Sequence, residues 1–175
     1  MTIVPTKDDP TLVAFDVPGE PHGKARPRFV RSTGHAYTPT ATRLYEASIG
    51  YMARRAMAGL SWFLGPVALA VDAIFSVPAS WSNTKKQQAL TGIVRPTGKP
   101  DADNIVKAVG DALNEIVWRD DSQVVDCRIR KFYGAAPMLR ITIKPASLPK
   151  PEQEQLPWHR DTETPSIGRS KTSSE

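Results

Sequence analysis

Between Asp101 and Asp126 the chain sets seven acidic residues against two basic ones, Lys107 and Arg119. The same stretch reads as a helix beginning near Asp103, with Ile105, Val109, Ala112 and Ile116 recurring on one face. At about 100° per residue, Asp103, Lys107 and Asp111 line the opposite face. Such a segment has to lie on an apolar core with its charged stripe outward. It then leaves carboxylates at both ends, Asp101 and Asp103 at the start and Asp120 and Asp121 in the turn beyond. Crowded carboxylates repel and raise one another's pKa, so a fold gains little from the arrangement unless a cation relieves it.

A second window has the opposite sign. Glu20–Leu60 holds seven basic residues, Lys24, Arg26, Arg28, Arg31, Arg43, Arg54 and Arg55, and two acidic ones. The first four lie in PGEPHGKARPRFVRSTGHAYTP, a stretch whose glycines and prolines exclude helix and predict a long loop. Thr38 and Pro39 suit the N-cap and first position of a helix running to about Ala58. Its apolar set is Tyr45, Ile49, Met52 and Ala56, while Arg43 and Arg54 share nearly one azimuth of the other side.

Leu12–Val17 reads as a strand, and Pro66–Val77 alternates apolar residues as a strand does. Ser82–Leu90 suits a short helix ended by Gly92. Val124–Phe132 and Met138–Ile143 read as a hairpin around Gly134. The order β, α, β, α, α, β, β predicts an α+β fold, a small mixed sheet covered by two or three helices.

A chain of 175 residues is one domain long and buries roughly 70% of its unfolded surface, so it needs no staples. We expect a flexible N-terminus over residues 1–10 and a folded domain over 11–145. A disordered tail is expected over 146–175, where Pro, Ser, Thr and charge dominate and Trp158 alone is suited to docking. Cys127, the single cysteine, excludes an intrachain disulfide and reads as a small core residue or an inert thiol. No apolar run approaches the roughly 18 residues of a membrane span. With Asp8 and Asp9 so early, the start is unlike a signal peptide, and we expect a cytoplasmic protein.

Hard oxygen ligands without nearby His or Cys favour Mg²⁺, or Mn²⁺, over Zn²⁺. Such an ion polarises a phosphodiester and activates water, and Lys107, one turn after Asp103, is placed to neutralise charge on a phosphorane. A helix of a dozen residues spans about 18 Å, so Asp121 reaches the first pair only if the chain curls back. Simpler readings compete. Asp103 is a good N-cap, Asp101 favours the helix start electrostatically, and Asp120-Asp121-Ser122 is ordinary turn chemistry. Asp111 is placed to tie down Lys107 at i,i+4. His22 and His35 are isolated enough for ordinary loop roles, and Asp72 reads as facing solvent. Phe29 and Tyr37 suit either base stacking or core packing.

Together, GEPHGKARPRF, YTPTATRLYE, KPDADNIVKAVGDAL and WRDDSQVVD resemble the RusA family of Holliday-junction resolvases, over about Phe15 to Ile143. The resemblance implies a small α+β endodeoxyribonuclease, a homodimer holding Mg²⁺ on acidic residues. It implies Asp101, Asp103 and Asp121 as catalytic metal ligands and Lys107 as the catalytic lysine. Two departures stand out: Glu115 follows Asn114 where Gly often does, and Gly110 interrupts the helix. On this reading Lys24, Arg26, Arg28, Arg31, Arg43 and Arg54 form the DNA-binding footprint, gripping the phosphates of a four-way or branched junction without regard to sequence. Two rivals remain. One is a non-catalytic branched-DNA-binding protein, with salt-sensitive binding and no nicking. The other is a Mg²⁺ hydrolase or transferase of small phosphate esters, which has no need of the basic loop.

Overall fold

The computed structural model describes residues 12–25, 28–29, 36–37 and 39–146. The expectations for residues 1–10, for the tail beyond Ala146, and those resting on Arg26, Arg31, His35, Thr38 and Trp158 lie outside the described residues. So do the side chains of Arg28, Phe29 and Tyr37.

A four-stranded sheet is built from β1 (Val13–Pro18), β4 (Val67–Ser76), β5 (Val124–Gly134) and β6 (Met138–Pro145), in the order β1-β6-β4-β5. Inside the expected loop, two-residue strands β2 (Arg28–Phe29) and β3 (Ala36–Tyr37) pair antiparallel. The helices are α1 (Thr40–Ala56), α2 (Asn83–Leu90) and α3 (Ala102–Leu113). β6 is antiparallel to both β1 and β4, and β4 is parallel to β5, so the sheet is mixed and the fold is α+β as expected.

The strict alternation of β4 buries Val67, Leu69, Val71 and Ala73 on one face. Leu139, Ile141 and Ile143 of β6 and Val13, Phe15 and Val17 of β1 extend that face. α1 covers it with Tyr45, Ile49 and Ala53, and α3 with Ile105, Val109 and Leu113. The two helices cross closely at Gly50, where a Cβ would sit 3.2 Å from Ile116 Cδ1. Trp118, fully buried, closes the core after α3 and donates from Nε1 to Asn114 Oδ1 at 2.9 Å.

Three expectations need correction. β5 and β6 are not a hairpin, because β4 lies between them and pairs with both. The chain crosses the end of β4 through residues 135–137. Gly134 permits this, since a Cβ there would lie 2.5 Å from Ile74 Cγ2. The most regularly alternating strand takes the centre, and a Gly between two apolar runs is no proof that they pair. The second correction concerns α1, which starts one residue late. Pro39, extended at φ −54°, ψ 141°, occupies the N-cap, and its carbonyl accepts from Thr42 N at 3.0 Å. Finally, α3 starts at Ala102 with Asp101 at its N-cap, so Asp103 is a first-turn residue and not the cap. α2 follows expectation, with Ser82 Oγ accepting from Lys85 N at 3.3 Å and Gly92 beyond its end at φ +80°.

Candidate active site

Asp101 holds the N-cap position of α3, yet its side chain makes no capping hydrogen bond. An N-cap aspartate ordinarily accepts from an orphan N–H of the first turn. Here only the backbone does the capping work, with Asp101 O accepting from Ile105 N at 3.2 Å. The carboxylate is left exposed at the positive end of the helix. Two residues on, Asp103 accepts from Lys107 Nζ at 3.2 Å. That hydrogen bond holds Asp103 below the usual carboxylate range, against some desolvation and helped by backbone N–H groups.

Lys107 pairs with Asp103 and not with Asp111, which corrects the expected partner. The cause is orientation: an acid four residues before a lysine complements the helix dipole better than the reverse order. Asp111 takes Lys24 instead, and Lys24 Nζ also lies 3.4 Å from Glu46 Oε1 of α1. Burial works against the Lys24 charge, but Asp111 and Glu46 outweigh it and hold its pKa above the ordinary lysine value.

Asp121 opens a 3-10 turn, Asp121–Gln123, that folds back onto α3. A Cβ on Gly110 would stand 3.3 Å from Asp121 Oδ2 and 3.5 Å from its Cβ. The glycine that weakens the helix therefore makes the space in which Asp121 rests. The turn is fixed by a capping box. Gln123 Oε1 accepts from the N-cap N–H of Asp120 at 3.4 Å and also from Arg119 N at 2.9 Å, while Asp120 Oδ1 accepts from Ser122 N at 2.9 Å. The amide of Gln123 then donates to Phe63 O at 2.8 Å and Gly65 O at 3.0 Å, pinning the turn to the loop before β4. The Ser122 hydrogen bonds hold Asp120 below the usual carboxylate range.

Asp121 thus curls back, as the sequence required, but to the level of Gly110. Seven residues separate Gly110 from Asp103, about 10 Å along the axis at 1.5 Å each. At 3.6 residues per turn both lie on the same face, with Lys107 between them. Among the described residues no three His, Cys, Asp or Glu side chains are grouped closely enough to hold a metal ion. The donor chemistry nonetheless suits a hard cation. Mg²⁺ keeps several waters and is commonly bound through one or two carboxylates plus substrate phosphate, not in an all-protein cage. Asp101 and Asp103, carboxylates at one helix end with no soft ligand beside them, fit that mode.

The start of the basic segment, through Gly23 and Lys24, is brought to this end of α3. Lys24 N donates to Asn104 O at 2.8 Å, and a Cβ on Gly23 would stand 2.9 Å from Pro100 Cβ and 3.0 Å from Asn104 Cβ. Between loop and helix lies an open cleft of about 740 Å³, lined by His22, Lys24, Lys99, Pro100, Asp101 and Asn104. His22 meets Tyr45 edge-on at 5.1 Å, the structural role expected for it. Arg43 and Arg54 are exposed on α1, and Arg54 lies over Gly50 at the crossing with α3. Cys127 is exposed, not core, and partial burial together with Asp126 pushes its thiol up, disfavouring thiolate.

The sequence reading missed Lys131. From β5 its Nζ donates to Gly98 O at 2.5 Å and Pro100 O at 3.0 Å, fastening the residue that precedes Asp101. Arg95 braces it, donating from Nε to Lys131 O at 2.7 Å and stacking on Phe132 at 3.9 Å. Alternation in β5 gives no sign that its lysine reaches a loop thirty residues earlier. Lys99 and Asn104 stand inside the singled-out segment but carry no separate signal.

The sequence model of the family Endodeoxyribonuclease RusA matches residues 18–144. An uncharacterized protein, YqaN of Bacillus subtilis strain 168, is 37% identical over 139 residues, covering 77% of this chain and 97% of the relative. The matched span includes β2–β5, all but the last residue of β6, all three helices and every residue of the cleft, and on that breadth the chain belongs to the RusA family of endodeoxyribonucleases.

Proposed function

We propose that this protein is a Mg²⁺-dependent endonuclease that resolves Holliday junctions by paired, symmetric nicks. Family membership implies endodeoxyribonuclease action on such junctions. The observation that carries the finer reading is Asp101, a carboxylate at a helix N-cap that caps nothing and lines the cleft beside Lys24, where the basic segment begins.

In this reading Asp101 and Asp103 would hold the cation, and Asp121, parked against Gly110 about two helical turns further on, would reach it only through intervening water. A bound Mg²⁺, or Mn²⁺, supplies polarisation of the scissile phosphodiester and a water activated for attack. With Asp103 engaged by such a cation, Lys107 would be free to place its ammonium beside the negative charge that builds on the phosphorus. Arg26, Arg28 and Arg31, in the segment leaving Lys24, contribute sequence-independent grip on phosphates, and Arg43 and Arg54 extend it along α1. Lys131 and Gln123 keep the two carboxylate-bearing segments in place from behind.

Two symmetric nicks require two sites, so we propose a twofold homodimer. Trp62 and Leu64 are exposed, as is Val125 at the start of the edge strand β5, and Gln123 joins these two segments. They form an apolar margin of the kind that a second copy covers. The test is a mobile four-way junction incubated with the purified chain and Mg²⁺, alongside Asp103→Asn. Paired nicks by the wild type alone are expected, and equal cutting by both proteins rejects the assigned site. Tight binding by the wild type without any nicking returns the reading to a branched-DNA-binding protein.

A further inference from the structure

Lys24 stands where three elements meet: the loop after β1, α1 through Glu46 and α3 through Asp111. Its ammonium is a hydrogen-bond donor to Asp111 Oδ2 and lies 3.4 Å from Glu46 Oε1. Glu46 Oε1 is shut off from solvent and has no hydrogen-bond partner among the described residues, so Lys24 is the cation that balances it. A phosphate approaching this ammonium meets two carboxylates already in place, and taking Lys24 away would leave the shielded Glu46 Oε1 without its cation. The backbone is fastened at the same point by the Lys24 N–H on Asn104 O and by the tight approach of Gly23 to Pro100.

We propose that Lys24, Glu46 and Asp111 form an ion-pair latch that fixes where the basic segment leaves the cleft beside Asp101 and Asp103, and that Lys24 is a positioning residue, not a phosphate contact. The proposal rests on the nuclease reading for its consequence in catalysis, but not for the latch itself. The latch sets the path on which the following arginines meet DNA. Opening it misplaces the strand relative to Asp101, and a displacement near 1 Å at a reacting centre costs on the order of 10²-fold.

The experiment compares the full chain with Lys24→Met, Asp111→Asn, their double variant and Asp111→Glu. Three properties are read: single-turnover junction cutting in Mg²⁺, junction affinity against salt, and hydrogen exchange of the Lys24 amide. The latch predicts that both neutralising variants cut about 10- to 100-fold more slowly, and that the double variant is no slower than the worse single one. Asp111→Glu, which keeps the charge, stays within about threefold of wild type, since a shift of 0.6 kcal/mol is a factor of about three. The salt slope of binding is unchanged, and the Lys24 amide exchanges faster once either partner is neutralised. A phosphate contact predicts otherwise. Lys24→Met then lowers the salt slope by about one, while Asp111→Asn leaves cutting intact or tightens binding, and that pattern overturns the latch. If the wild type cuts no junction, the nuclease reading fails separately. Exchange then decides alone: an amide equally protected in Asp111→Asn overturns the latch, and lost protection upholds it.

Discussion

The exposed face of the sheet and the outer face of α3 are both dense in charge, but they hold it differently. On the sheet, Arg140 faces Asp16 across β6 and β1, and Arg130 faces Asp72 across β5 and β4, each pair in register. Each arginine donates through two nitrogens, at 2.9 and 3.1 Å to Asp16 and at 2.7 and 2.7 Å to Asp72. The strands align these groups, so forming the pairs costs little added order. On α3 and the turn packed against it, among the described residues, neither Asp101 nor Asp121 has an ionic or hydrogen-bonded side-chain partner for its carboxylate, and Asp103 has, beyond local backbone N–H groups, only an exposed lysine. Charge whose geometry is already satisfied supports a fold. Charge held in place by backbone, glycine space and second-hand contacts, with its oxygens unspent, is available to a substrate.

Exchanging charge for neutral isosteres in the two regions should separate them most sharply. Asp101→Asn and Asp121→Asn are each expected to reduce Mg²⁺-dependent cutting by more than about 100-fold, the upper end of what loss of an outer-shell metal partner costs. Asp121→Asn should melt at or above the wild type, because its carboxylate has no partner among the described residues and its loss relieves like-charge repulsion. Asp101→Asn should lose no more than the roughly 0.3–1 kcal/mol of its charge at the helix N-terminus. Activity retained in either variant, measured by junction cutting at several Mg²⁺ concentrations, breaks the contrast.

Gly110→Ala tests the boundary between the regions, since one methyl group has opposite effects on helix and site. Alanine favours the helix by about 1 kcal/mol over glycine. Its Cβ would meet Asp121 Oδ2 at 3.3 Å, so the carboxylate has to shift by tenths of an ångström. We expect a chain as stable as wild type or more so, with cutting lowered by on the order of severalfold. Denaturant unfolding beside single-turnover cutting measures both, and an activity unchanged by alanine removes Asp121 from the site.

That glycine also shows what was legible in the sequence. Apolar periodicity placed β4, α1 and the start of α3 within a residue or two, because burial of a face leaves its period in the chain, whereas α2, which buries only Ala89, was legible from Ser82 and Gly92 at its ends. Asp101, Asp103, Lys107 and Asp111 were likewise placed on α3 by helical spacing. The central position of β4, the docking of Gly23 on Asn104 and the reach of Lys131 to Pro100 depend on tertiary packing, which leaves no local period. Gly110 was visible only as a cost to the helix, and Lys24 only as one basic residue among several. Their reasons lie on other elements, in Asp121 and in Asp111 with Glu46.

On the structural side of the contrast, Asp16→Ala should cost about 0.5 kcal/mol, the ordinary size of an exposed ion pair screened by solvent, and leave cutting unchanged. Asp120 gives the pH signature of the same class. Its folded pKa is lowered by Ser122, so the stability it contributes is fully present above the unfolded value near 3.9. It disappears as pH falls through the lower folded value. Asp120→Asn should therefore be less stable than wild type at pH 7, with the difference closing as pH falls through that lowered folded value. A gap that persists there in urea unfolding assigns the effect to something other than this ionisation.

An effect on stability alone is expected where α3 ends and the two regions are joined. Asn114 closes the helix, and Glu115 follows at φ 59°, in the left-handed region that costs an L-residue about 1–2 kcal/mol. The position is held because Glu115 N donates to Trp118 O at 2.8 Å and Trp118 returns a hydrogen bond to Asn114, with the indole fully buried. Glycine relieves the strain but adds freedom to the unfolded chain, which takes back about 0.5–1 kcal/mol. Glu115→Gly should accordingly stabilise the protein by up to about 1 kcal/mol. It also removes one negative charge from the acidic window without touching Asp101, Asp103 or Asp121, so cutting should hold steady while the unfolding midpoint rises. If cutting falls instead, the strained turn does more than end a helix: it sets the height at which Asp121 meets Gly110.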